Sequence, residues 1–155
     1  MKRARARRPR VGLVGVVALA CGVVAARAET IRPFTVVEDA IPQSLTGQRA
    51  DPQRGREVVA SRQLGNCLLC HRMPVPEERF QGSIGPDLAG VASRLSAGQI
   101  RLRIVDASRL NPASLMPPYY RLEGLQRVMA AYRDKPILTA EQVEDAVAFL
   151  EALHE

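Results

Sequence analysis

Two thiols separated by two residues, with an imidazole directly after the second, stand at Cys67-Leu68-Leu69-Cys70-His71. This C-x-x-C-H spacing is the c-type haem attachment pattern. The two thiols add across the two haem vinyl groups, whose separation the x-x spacing matches, and the histidine that follows lies against the iron on one face. Two other chemistries use parts of the pattern. A thioredoxin-like redox pair uses C-x-x-C, but it follows a strand in a βαβ context, and the sequence offers no such context. A zinc site takes about four ligands, and beyond this cluster the exported part of the chain offers only His154.

The opposite iron face needs a ligand, and methionine or histidine is usual in small cytochromes. Met73 is two residues past His71, too close for the chain to carry it round the ring. Met129 shares a helical spacing with Leu125 and Val128, where a methionine is more often core. His154 sits beside the C-terminus, on a helix end expected to fray. Met116 remains, 45 residues after His71 in Leu115-Met116-Pro117-Pro118. The following proline biases its backbone towards extended conformations, which helps fix the thioether. The alternative is a loop methionine filling a gap beside the ring. His71 needs a fixed acceptor for its other ring N–H. The Pro86 carbonyl in Gly85-Pro86-Asp87-Leu88 is the favoured one, because proline offers only a carbonyl and Gly85 permits a tight approach.

The elements that must position these residues read as helices joined by long loops. Residues 29–50 carry Pro33 and Pro42 and no helical periodicity, so they form an extended arm; the domain proper spans 51–155. Asp51-Pro52 is a helix start, with Val58, Val59 and Leu64 on one face and Gly65 placed to end it. Residues 96–108 form a second helix, 124–132 a short one, and Thr139-Ala-Glu-Gln142 is a capping box opening a last helix with Val143, Ala146, Val147, Leu150 and Leu153. Residues 72–90 and 111–120 are proline- and glycine-rich loops, and loops of that length need a reason. No run of alternating residues marks a sheet, so the expected class is all-α.

The first 28 residues are a secretory signal: a basic stretch to Arg10, an uncharged apolar run 11–26, and the small-x-small site Ala26-Arg27-Ala28. Sixteen apolar residues fall short of the roughly 20 that span a bilayer, which disfavours a retained anchor. Arg7-Arg8 fits a twin-arginine signal poorly, and Cys21 is more simply discarded than lipidated. Cleavage after Ala28 leaves 127 exported residues with two cysteines in an oxidising compartment. The net charge of +6 suggests nucleic acid, but seven of the 22 basic residues lie in the signal. Without them 15 basic groups face 16 acidic ones, so no nucleic acid partner is implied. Within residues 94–127, Arg94, Arg101, Arg103, Arg109, Arg121 and Arg127 outnumber Asp106 and Glu123. That cluster reads equally as a docking face and as solvated helix faces. The chain is 46% apolar, yet has three Phe, three Tyr and no Trp. A core so short of rings is one that a covalent porphyrin completes.

The segments GNCLLCH, IGPDLAGVASRL, LRIVDASRLNPASLMPPYYR and KPILTAEQVEDAVAFLEAL together resemble the SoxX family, the cytochrome subunit of the SoxAX sulfur-oxidation complex. Asn111 to Tyr120, Lys135 to Thr139 and Glu144-Asp145 are the specific parts. The resemblance implies a mono-haem cytochrome c fold and one haem c held by Cys67 and Cys70, with His71 and Met116 on iron and no catalytic residue on this chain. It implies a SoxA partner carrying the catalytic haem, and a SoxYZ carrier whose cysteine is oxidatively joined to thiosulfate by this L-cysteine S-thiosulfotransferase. A soluble cytochrome takes the electrons. The alternative is a free-standing mono-haem electron shuttle.

Overall fold

Asp51 caps the first helix: its carboxylate accepts from the Gln53 and Arg54 N–H groups, Pro52 fills the first position, and α1 runs Pro52–Ala60. The computed structural model describes residues 30–154. The expected signal 1–28, with Arg7-Arg8, Cys21 and the Ala28 cleavage site, lies outside the described residues. Helix α1 ends earlier than its apolar pattern suggests. Ser61 turns extended at ψ 123°, and the Gly65 N–H returns to the Val58 carbonyl at 3.0 Å, so residues 62–65 are turn.

Helix α2, Ala97–Asp106, and helix α3, Ala140–Glu151, each start on a reciprocal capping box, Ser96 with Gln99 and Thr139 with Gln142. The described residues contain no strand, only an isolated bridge between Val37 and Ala40. The fold is all-α. The expected helix over 124–132 does not form: Gly124 (φ 69°) and Arg127 (φ 55°) take left-handed backbone that a right-handed helix excludes. A single 3-10 turn, Ala130–Tyr132, stands there. Met129 is 69% exposed instead of core.

Helices α1 and α3 cross at backbone contact. A Cβ on Gly55 would lie 1.8 Å from the Asp145 carbonyl oxygen, so only glycine fits. Two adjacent acids on α3 then tie the frame together. Asp145 accepts from Arg54 at 2.7 and 3.0 Å and from the Asp51 N–H at 2.6 Å. Glu144 takes Arg101 of α2 in a two-pronged pair at 2.7 and 2.9 Å, and also the Leu45 N–H at 2.8 Å. The remaining Arg101 prong donates to the Ile41 carbonyl at 2.7 Å. The 30–50 arm is thereby held on the chain's own helices, with Ile41 and Leu45 buried.

Both members of the Arg101–Glu144 pair are buried. Removing one partner of such a pair strands the other charge, at a cost of about 3–5 kcal/mol. Arg101→Met is therefore expected to lower Tm by on the order of 10 °C in thermal circular dichroism; an unchanged Tm would contradict the pair's structural role.

Candidate functional site

The cysteine pair sits on a turn made by close approach. Asn66, at φ 48°, swings the chain into the 3-10 turn Cys67–Leu69. A Cβ on Gly65 would meet the Val58 carbonyl oxygen at 2.8 Å and Cys67 Sγ at 3.0 Å. The glycine read as a helix stop is thus a packing requirement next to the thiol. His71 N–H closes the turn on the Cys67 carbonyl at 2.9 Å.

A second segment runs alongside. Gly82, Gly85 and Leu88 N–H groups donate to the Leu68, Cys70 and Arg72 carbonyls, each at 2.8 Å. These bonds bring Pro86 behind His71, whose Nδ1 lies 2.8 Å from the Pro86 carbonyl oxygen. A carbonyl only accepts, so Nδ1 carries a proton and donates it to Pro86, which leaves Nε2 as the ring nitrogen on the far side from that bond. Gly85 lies flat against the ring: a Cβ there would be 2.3 Å from His71 Cε1.

The opposing loop leaves α2 and returns to it. Tyr119 and Tyr120 N–H groups donate to the Ile104 and Val105 carbonyls at 3.2 Å, with Met116 on the excursion between. Cys67, His71 and Met116 line one small apolar cavity, together with Met73, Tyr119 and Leu88. Its walls are completed by Val59 of α1, Ile104 of α2, Leu138, and Ala146 and Leu150 of α3. Cys70, half-buried, ends the turn without lining the cavity, and Pro86 stands behind the histidine. His154 and Met129 are exposed and do not line it.

Met73, Tyr119 and Leu88 are lining residues that sequence reasoning passed over. Met73, too near His71 in the chain to reach the opposite face, is buried in the wall. Tyr119 had one available signal, a tyrosine pair in a ring-poor chain three residues after Met116. Its hydroxyl donates to the Gly65 carbonyl at 2.7 Å. Burial, with Cys67 and Cys70 nearby, pushes the hydroxyl's pKa up, which keeps it a neutral donor.

The thiols are not joined to each other. Burial raises the Cys67 thiol to about 12. A redox-active C-x-x-C pair works through a lowered thiol pKa, so the environment here is the opposite of what that chemistry needs. Among the described residues, no three His, Cys, Asp or Glu side chains converge on a metal-sized site. The arrangement fits a flat apolar group: two free thiols on one turn, an imidazole fixed by its back nitrogen, and a thioether on another loop lining the same slot. Most of the arginine cluster over 94–127 is spent internally. Arg101 pairs with Glu144, Arg103 with Asp39, and Arg109 and Arg121 with Asp106, while Arg94 donates to the Asp87 and Ala89 carbonyls.

A chain of the crystal structure of SoxXA from P. pantotrophus matches this protein with a TM-score of 0.75 and 34% sequence identity, over 82% of this chain and 99% of that one. The protein belongs to the SoxX family. No protein-family model and no curated protein sequence matches it. The match adds a cytochrome of a sulfur-oxidation complex to a fold and a slot already described. No helix among the described residues is long and apolar enough to cross a membrane.

Gly85→Ala is expected to push His71 off the Pro86 carbonyl. Proton NMR should then lose the slowly exchanging Nδ1–H signal of that imidazole; its persistence would show that the ring does not depend on glycine behind it.

Proposed function

We propose that this chain is a periplasmic mono-haem cytochrome c, the electron-transfer subunit of a SoxAX-type complex that oxidatively joins thiosulfate to a cysteine of a SoxYZ carrier. The observation that carries the proposal is the convergence of Cys67, His71 and Met116 on one apolar slot. When bound, the haem supplies a one-electron iron couple. Cys67 and Cys70 would tether it, and His71 Nε2 and the Met116 sulfur would be the ligands offered to its iron. The Pro86 carbonyl, accepting from Nδ1, orients the imidazole. The apolar walls exclude water, and methionine ligation raises the potential, which suits an acceptor downstream of a lower-potential site. No residue of this chain makes or breaks the sulfur bond on this reading; a SoxA partner supplies that centre, and a soluble cytochrome receives the electrons. The similar chain was crystallised as SoxXA, which supports the SoxA partner. Residues 1–28 are read as the cleaved signal, 29–50 as the arm and 51–155 as the cytochrome domain.

Tagged protein recovered from its own periplasm should bring down a second, SoxA-type haem subunit. Its haem band should be reduced when thiosulfate and the SoxYZ carrier are added together. Recovery of the chain without a second haem subunit, and with no thiosulfate-dependent reduction, would favour the free-standing shuttle. Met116→Ala should change the ferric spectrum and lower the potential; an unchanged spectrum would remove Met116 from the iron.

A further inference from the structure

We propose that the loop carrying Met116 is clamped at two points, and that Tyr119 and the Asp106–Arg121 pair are positioning residues that keep the thioether on iron. The inference rests on Met116 being the second ligand, as proposed above. A loop that leaves and rejoins the same helix end swings about its base, and Met116 itself is anchored only weakly, its N–H reaching Ser114 Oγ at 3.2 Å. Besides the Tyr119 and Tyr120 backbone bonds to α2, charge holds the base. Asp106, at the end of α2, is 2% exposed. Its carboxylate accepts from Arg121 Nη1 at 2.9 Å across the neck of the loop, and from the Ser108 hydroxyl at 2.5 Å and N–H at 3.2 Å on the outgoing side. Arg121 Nη1 also reaches Ser108 Oγ at 3.1 Å, so one guanidinium spans both strands of the neck. Arg121 Nε is buried with no partner, an unfavourable placement that the pair with Asp106 offsets.

The second point is Tyr119. Its ring lines the slot beside Met116, and its hydroxyl donates to Gly65, two residues before Cys67. This side-chain bond links the loop bearing one ligand to the turn bearing the thiols and the other. It therefore fixes the separation of the two loops rather than the position of either alone.

A ligand loop held this way opens rarely, and an outside ligand competes with Met116 only in the open fraction. Its apparent affinity is then proportional to that fraction. Imidazole titrated into the ferric holoprotein reads the fraction directly. Tyr119→Phe keeps the ring but orphans the Gly65 carbonyl, and Arg121→Gln removes the charge across the neck. Each is expected to raise imidazole affinity roughly tenfold, the effect of losing one such interaction. Arg54→Gln loosens α1 from α3 without touching the loop, and should lower Tm while leaving imidazole affinity within about twofold. Wild-type affinity in both clamp variants, or an equal rise in Arg54→Gln, would overturn the clamp. Met116→Ala separates the two readings. If it binds imidazole no more tightly than the unaltered protein, Met116 is not the ligand and the clamp falls with it. If it binds far more tightly while Tyr119→Phe and Arg121→Gln do not, only the clamp is wrong.

Discussion

Two loops that share no ladder of backbone hydrogen bonds have to face each other across an apolar slot at a fixed separation. One presents the thiols and His71; the other presents Met116. Each is shaped locally by glycine or proline, which leaves few side chains to hold it. Gly65 and Gly85 are places where backbone and ring come so close that a Cβ would collide. The slot is consequently stiff where His71 sits and depends on longer-range bonds where Met116 sits.

Those bonds come from the helical frame. The α1–α3 crossing at Gly55 and the two acids Glu144 and Asp145 place Val59, Ala146 and Leu150 along the slot and seat the arm over the far side. Glu144 and Asp145 are buried charges, costly unless fully paired, and each meets an arginine and a backbone N–H. A chain with so few aromatic rings in its core thus gains definition from paired charges. A covalently held ring filling the slot would add the apolar mass that the side chains lack.

The sequence was most legible where the signal lies within one turn. The Thr139–Gln142 box and Asp51-Pro52 start helices where expected, and the C-x-x-C-H residues close into one turn. It was least legible where the deciding partner is distant. Gly65 reads as a helix terminator, whereas its role is set by the Val58 carbonyl and the Cys67 sulfur. Leu125, Val128 and Met129 have helical spacing, but left-handed backbone at Gly124 and Arg127 overrides it. The arginine count over 94–127 suggests a positive face because two of the acids that neutralise it, Asp39 and Glu144, lie outside that window. Tyr119 joins the site through Gly65, a contact that no local pattern contains. The SoxX family resemblance rested on Asn111 to Tyr120 and on Glu144-Asp145. In the structure these are the loop that carries Met116 to the slot and the two buried acids.

The most direct test is the mass of the periplasmically matured chain after acid denaturation, with a peptide map across residues 66–72. The account predicts a chain beginning at Glu29 that carries one haem, still attached to the peptide containing Cys67 and Cys70 after extraction with acidified acetone. A chain of polypeptide mass alone, or pigment that leaves with the acetone, would contradict it.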